Sequence, residues 1–310
     1  MKKILLVGSA NMDLSMNLFK VPESGETVID DGGIAYTPGG KGANAAVAFA
    51  KLGSECVFCT KLGMDAHGQK LFNYYKECGI NTSAIKVDQE APTGLAVVMK
   101  EADGSNRIIV YPGANRTLSN DNIIEAFSCN PDALYIGFEI PFNVAVAAAK
   151  VASAKGIPIF VDAAPASKDY SLDLLPKVEV FSPNETETFE YTGIMPTGTE
   201  SCLKAAYMLY NKVKAKYIII KLGARGSFFY DGKHFDMIPA YRPEKVVDTT
   251  AAGDTFTAAL TIEYLRSGNI KNAMAYGAAA AAVAVSRRGA GESVPTESEV
   301  MDFLKKRNQA

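Results

Sequence analysis

Six short apolar runs recur along the chain, each closed by Gly, Pro or Asp: KILLVG (3–8), ECVFCTKLG (55–63), ALYIG (133–137), PIFVD (158–162), VEVFSP (178–183) and YIIIKLG (217–223). Continuously apolar runs of this length suit strands covered on both faces, as in a parallel sheet. Between them lie alanine-rich stretches of helical period that end on glycine, such as NAAVAFAKLG and FNVAVAAAKVASAKG. This alternation predicts an α/β fold, a doubly wound and mostly parallel sheet flanked by helices. Ligands of such sheets sit beyond the carboxyl ends of the strands, so the loops after the strands are where chemistry is expected.

Two segments break the alternation. Residues 14–36 and 92–111 look extended, and EADGSN (101–106) is a strong turn signal between β-rich runs. A core βα unit separates them in sequence, so they are expected to form one small β-sheet projecting from the core, shaped to act as a lid and as a dimer surface. With no repeat, low-complexity tract or linker, the chain is read as a single domain over 1–310 with this lid inserted.

A net charge of −2 and a pI near 5.9 give no electrostatic case for nucleic acid or an anionic membrane. Any phosphate ligand must then be held by local geometry. The N-terminal run ILLV is too short for a signal segment and continues into GSANMD, so it reads as a first strand, and the chain is expected to be cytoplasmic. The alanine-dominated stretch Ala273–Val285 is too short to span a bilayer. CVFC (56–59) has no second pair to complete a zinc site, which favours buried thiols among the five cysteines. The only histidines, His67 in the polar turn DAHG and His234 in the hairpin-like DGKH, argue against a histidine-dependent hydrolase.

The loops after the strands carry the polar motifs. GSANMD (8–13) puts Asn11 and Asp13 after the first strand, and lacks the glycine pattern of a dinucleotide site. An amide with a carboxylate suits the hydroxyls of a polyol, although an Asx-rich turn reads as easily. TPGGKGANAAV (37–47) fails the P-loop spacing but sets Gly40, Lys41 and Asn44 at a crowded helix start. SPNETE (182–187) places Asn184 and Glu187 after a strand, fit for orienting water on a divalent ion or, equally, for capping a helix. The glycines of KLGARGSFFYDG (221–232) permit close approach to a nucleotide or form a plain hairpin.

DTTAAGDTF (248–256) is the most informative. Ala251, Ala252, Gly253 and Asp254 are expected to present free backbone N–H groups at a helix start, where the peptide dipoles sum to roughly +0.5 elementary charge. Such an anion hole needs no lysine, and Asp254 beside it is expected to be a general base for an attacking hydroxyl. Helix capping by Asp254 is the competing reading.

Taken with GETV (25–28), GAN (113–115), FEIP (138–141) and SRRGAGESVP (286–295), these motifs resemble the ribokinase branch of the ribokinase/phosphofructokinase-B carbohydrate kinase family over nearly the whole chain. The resemblance implies ATP-dependent phosphorylation of a sugar's exocyclic hydroxyl, with Mg²⁺ and a monovalent cation, usually K⁺. It assigns Asn11, Asp13, Gly40, Lys41, Asn44 and Glu139 to the sugar, Asp254 to the base, and residues 251–254 to the anion hole. Asn184, Glu187, Lys221, Gly223, Gly226 and Ala278 fall on the nucleotide side, with Glu187 helping to organise Mg²⁺. Asp248, Thr250, Ala284, Arg287, Gly289 and Ser293 fit the monovalent-cation loop. Ala45 stands where Gln is common, Lys221 where Thr is common, and DAAPA (162–166) where NPAPA is frequent; an Asn often occurs near Ala278. The implied reaction is D-ribose plus ATP giving D-ribose 5-phosphate and ADP. A kinase for deoxyribose or a nucleoside, and a non-catalytic sugar-binding regulator, are the alternatives, and a homodimer through the lid is expected.

Overall fold

The structure is a computed structural model describing residues 1–29, 32–101 and 106–308, so the expected turn at 102–105 lies outside the described residues. The chain opens with β1 (Lys3–Val7), β2 (Asn11–Leu18), β3 (Ile34–Gly39), α1 (Lys41–Lys51), β4 (Glu55–Gly63), α2 (Ala66–Glu77) and β5 (Ile85–Asp88). It continues through β6 (Gly94–Glu101), β7 (Asn106–Tyr111), α3 (Asn120–Ala126), β8 (Ala133–Ile136), α4 (Phe142–Ala154) and β9 (Ile159–Asp162). Then come β10 (Val178–Ser182), α5 (Glu185–Thr192), α6 (Thr199–Val213), β11 (Ala215–Lys221), β12 (Ser227–Tyr230) and β13 (Phe235–Ile238). Three helices finish it: α7 (Ala252–Ser267), α8 (Ile270–Ala284) and α9 (Glu297–Asn308).

Nine strands form one sheet in the order β13-β12-β11-β10-β9-β8-β1-β4-β5, parallel from β11 to β5, with β12 and β13 added antiparallel at one edge. β1 shows why the sheet is covered on both sides. Ile4 and Leu6 enter one apolar core with α1, α7 and α8, while Leu5 and Val7 enter a second core with α4 and α6. Successive strand side chains point to opposite faces, so a strand apolar at every position needs helices on both. Full burial of each such side chain contributes roughly 1.5–3 kcal/mol.

A separate four-stranded sheet runs β3-β2-β6-β7, with β2 pairing β3 antiparallel and β6 in parallel. Its strands reach Asn11 and Gly39, beyond 14 and 36. Asn11 and Asp13 are therefore residues of β2 in the small sheet, and not of a turn that ends β1. Only residues 8–10 separate the two sheets along the chain. α1 begins against that link: a Cβ on Gly42 would stand 2.5 Å from the Ser9 nitrogen, and Gly40 has φ 92. Glycine is needed at both positions, by close approach at one and by a left-handed backbone at the other.

The DAHG stretch is a helix start and not a turn. Asp65 caps α2 by accepting from the Gly68 N–H at 2.7 Å, and half-buried His67 stacks on Tyr36 with ring centroids 5.5 Å apart. His234 is exposed in the turn between β12 and β13. All five cysteines are free; burial pushes the Cys59 thiol up to about 12 and Cys56 further still. No helix among the described residues is long and apolar enough to cross a membrane.

Candidate active site

Asp254 lies in the first turn of α7 and is 6% exposed. The residue before the helix, Ala251, takes a left-handed conformation with φ 59, a strain of order 1–2 kcal/mol for a residue with a Cβ. This kink turns the chain sharply into α7. Ala252 N–H donates back to the Thr249 carbonyl at 3.3 Å, whereas the N–H groups of Gly253 and Asp254 have no acceptor among the described residues. Among the described residues Ala251 N–H has no acceptor either, so of the expected 251–254 donors only that of Ala252 is turned back into the loop. No side chain caps α7; the Asp254 carboxylate instead accepts from Asn44 Nδ2 at 3.0 Å, so the capping alternative fails. Burial raises the Asp254 pKa, and the Lys41 cation opposes that rise.

The residues assigned to the sugar converge here from α1, β2 and the loop after β8. Asn11 is held by Asn115, whose Nδ2 donates to Asn11 Oδ1 at 2.8 Å and whose Oδ1 accepts from Ala10 N–H at 2.9 Å. Asn115 belongs to the GAN motif, which named no role for it. Asp13 lies over Gly39, where any Cβ would collide with the carboxylate at 2.1 Å. Its Oδ1 is buried without a partner among the described residues, and burial first, then the Glu139 charge, pushes its pKa to about 7. Glu139 Oε2 accepts from Ser9 Oγ at 2.5 Å and from the Lys41 N–H at 2.9 Å. The Lys41 ammonium makes no hydrogen bond or ion pair among the described residues, yet the Asp254 charge foremost holds its pKa well above the usual lysine range.

The nucleotide-side residues divide. Asn184 and Glu187 form a reciprocal capping box on α5: Asn184 Oδ1 accepts from Glu187 N–H at 2.9 Å, and Glu187 accepts from Asn184 N–H at 2.7 Å and Nδ2 at 2.8 Å. The cap reading of SPNETE is therefore right, and the charges of Lys221, Asp162 and Lys41 also act on Glu187. Gly226 is explained by packing, because a Cβ would lie 2.1 Å from the Ile238 carbonyl oxygen; at Gly223, with φ 55, a Cβ would meet only Glu185 Oε2 at 4.0 Å. Ala278 is buried in α8 and offers only a methyl group. Lys221, at the end of β11, extends toward α7 and pairs with Asp162, a residue the motifs left without a role.

Asp248 joins the two loops assigned to the monovalent cation. Its Oδ1 accepts from Thr250 N–H at 2.9 Å and Thr250 Oγ1 at 2.6 Å, and its Oδ2 accepts from Gly289 N–H at 3.3 Å. The Ala284 carbonyl accepts from Arg287 N–H, and Ser293 is buried with its hydroxyl donating to the Ala290 carbonyl. The Arg287 guanidinium pairs with Glu299 at 2.6 Å, which leaves only its backbone for an ion. Lys51 of α1 pins the loop by donating to the carbonyls of Gly291, Glu292 and Val294.

The sequence pattern of the pfkB family carbohydrate kinases matches residues 1–297. The chain belongs to that family. Among relatives of this pfkB kinase, a ribokinase of Arabidopsis thaliana is 35% identical over 97% of the chain and 81% of the relative. A ribokinase of Haemophilus influenzae is 33% identical over 98% of each. A solved structure of Arabidopsis thaliana ribokinase complexed with ribose and ATP superposes with a TM-score of 0.89 at 32% identity, over 98% of this kinase and 99% of that chain.

Proposed function

We propose that this pfkB kinase is a ribokinase that transfers the γ-phosphoryl group of ATP to D-ribose, giving D-ribose 5-phosphate and ADP. The observation that carries the reading is Asp254, a buried carboxylate oriented by Asn44 at a helix start with free N–H donors. Asn11, Asp13, Lys41 and Glu139 surround it with groups suited to a polyol, and the likeness to a ribokinase that binds ribose and ATP supports the choice of sugar.

The acceptor hydroxyl gives its proton to Asp254 as its oxygen bonds to the γ-phosphorus. The bond from that phosphorus to the bridging oxygen breaks, and its electron pair leaves on ADP. Gly253 and Asp254 N–H, backed by the α7 dipole, stabilise charge on the phosphoryl oxygens. General-base help contributes ~10²–10⁴-fold, and positioning with electrostatic stabilisation supplies most of the remainder.

Among the described residues no cluster of three or more His, Cys, Asp or Glu could hold a metal ion. Both Glu187 oxygens already accept from Asn184, so the donor set fits Mg²⁺ only as an ion that keeps water and phosphate oxygens, with Glu187 reached through water. Mg²⁺ supplies neutralisation of phosphate charge when bound. The oxygen donors near Asp248, Thr250, Ala284, Gly289 and Ser293 fit K⁺, which supplies positive charge beside the anion hole. The small sheet serves as the lid and, through its exposed Ile108, Ile109 and Tyr111, as a homodimer surface. Free buried thiols suit a cytoplasmic setting.

ADP release with a panel of sugars and nucleosides, in K⁺ and Mg²⁺, tests the reading. Ribose is expected to give the highest kcat/KM; strong turnover of a nucleoside with none of ribose overturns it.

A further inference from the structure

Two charged residues beside the α7 start have no part in the step above. Asp162 ends β9 and Lys221 ends β11, on either side of β10, so both reach the carboxyl edge of the sheet. Lys221 Nζ lies 2.8 Å from Asp162 Oδ2, with the side chains 12% and 4% exposed. Thr257, one turn into α7, places its hydroxyl 3.1 Å from the same carboxylate oxygen and 3.4 Å from Lys221 Nζ. Tyr135 OH stands 3.4 Å from that oxygen. The Lys221 stem runs along Gly253: its Nζ is 3.8 Å from the site of a Cβ there. The ammonium therefore stands beside Gly253, whose N–H has no acceptor among the described residues.

A nearly dry ion pair is a poor source of stability, because desolvation offsets most of its attraction. Asp162 Oδ1 is moreover buried without a partner among the described residues, a cost that folded proteins tend to carry at working sites. An ammonium has three donors; Asp162 takes one, Thr257 offers a long second, and the third is left over. Both residues stand where the family resemblance leads to uncharged ones, Asn at 162 and Thr at 221. Two departures far apart in sequence are thus one change in space, a neutral pair exchanged for a charged one. The loop at 248–256 has no lysine of its own, and β11 brings one to it.

We propose that Lys221 is a catalytic cation whose ammonium contacts the transferring γ-phosphoryl group, and that Asp162 is the positioning residue that aims it. The proposal rests on the kinase reading. Lys221 gives up no proton: Asp254 takes the hydroxyl proton, the bridging bond breaks toward ADP, and the ammonium offsets negative charge on the phosphoryl oxygens. Asp162 holds the stem against Gly253, so the charge is in place before the nucleotide arrives.

The test uses the full chain as Lys221→Met, Lys221→Arg, Asp162→Asn and the double variant Lys221→Thr with Asp162→Asn. Thermal unfolding, calorimetric binding of ADP and of the non-hydrolysable ATP analogue AMP-PNP, and kcat with both KM values are measured. Lys221→Met is expected to bind AMP-PNP about tenfold more weakly while ADP affinity changes less than about twofold, as loss of one charged hydrogen bond to the γ-group requires. Its kcat falls by about a hundredfold or more with the sugar KM little moved, and Lys221→Arg recovers part of the loss. Asp162→Asn lowers kcat although Lys221 is present. The double variant unfolds at the parental temperature and stays as slow as Lys221→Met. A double variant with parental kcat, or Lys221→Met with undiminished AMP-PNP affinity, overturns the proposal. If the parent shows the AMP-PNP preference and Lys221→Met loses it while no sugar is phosphorylated, the ribokinase reading fails and the γ-phosphoryl contact stands.

Discussion

Asn44 in α1 donates from Nδ2 to Asp254 Oδ2 in α7 across 3.0 Å, joining residues 210 positions apart in sequence. The bond orients the carboxylate without neutralising it. Asp254→Asn removes proton acceptance and keeps an oxygen for Asn44, so the variant is expected to bind sugar normally and to lose ~10²–10⁴-fold in kcat. Calorimetry for sugar binding and single-turnover phosphoryl transfer check this; a near-parental rate removes Asp254 as base.

Lys41 sets the pH at which that base works. Burial raises the Asp254 pKa, and the Lys41 cation is the foremost force lowering it. Lys41→Met is expected to move the acid limb of the kcat profile to higher pH, with a larger loss near about pH 6 than near about pH 8.5. A uniform loss at all pH values would assign Lys41 to substrate contact alone.

Asp13, proposed above as a sugar contact, also bears on stability. Its folded pKa is pushed to about 7 from 3.8, burial foremost. The folded state therefore binds more protons than the unfolded one between those values, and stability falls as pH rises through that window. Asp13→Asn is expected to unfold at a higher temperature than the parent at about pH 8, with the difference shrinking toward about pH 4, and to bind ribose poorly. Unfolding scans at both pH values, with sugar titration, read the two effects separately.

The strands were legible because burial on both faces writes a continuous apolar word; ECVFCTKLG coincides with β4 residue for residue. β2 was harder to see. NMDLSMNL mixes polar and apolar side chains, so only its part from residue 14 read as extended, and its first three residues passed for a turn. The capping box of Asn184 and Glu187 was written locally, three residues apart. By contrast, Asp162 and Lys221 meet only because β10 lies between β9 and β11, a fact of strand order that spacing does not carry. Gly226 answers to Ile238 across a hairpin, which a glycine in a motif does not announce.

Asp248 ties residues 248–250 to Gly289 through one carboxylate. Asp248→Ala is expected to abolish most of the difference between rates in K⁺ and in a bulky organic cation such as tetramethylammonium. Equal rates in the two salts for the parent would remove the cation assignment.

β7 is an edge strand with Ile108, Ile109, Val110 and Tyr111 all exposed, by 56%, 62%, 48% and 57%. Such an edge invites pairing with a second copy. Ile109→Lys is expected to convert a dimer to a monomer in light scattering at unchanged fold; a parent that is monomeric at all concentrations removes the dimer.

Residues 8–10 are the whole connection from β1 to the strand that bears Asn11 and Asp13. The small sheet is therefore no independent flap, because tilting it carries Asn11 and Asp13, the proposed sugar contacts, along. Sheet angle and hold on the sugar are then one thermodynamic variable. Whatever grips the sheet in a single pose must, by linkage, alter sugar affinity by the same factor that sugar alters the grip. Protein concentration alone would then tune the enzyme's apparent appetite for its substrate wherever the gripping partner is another copy.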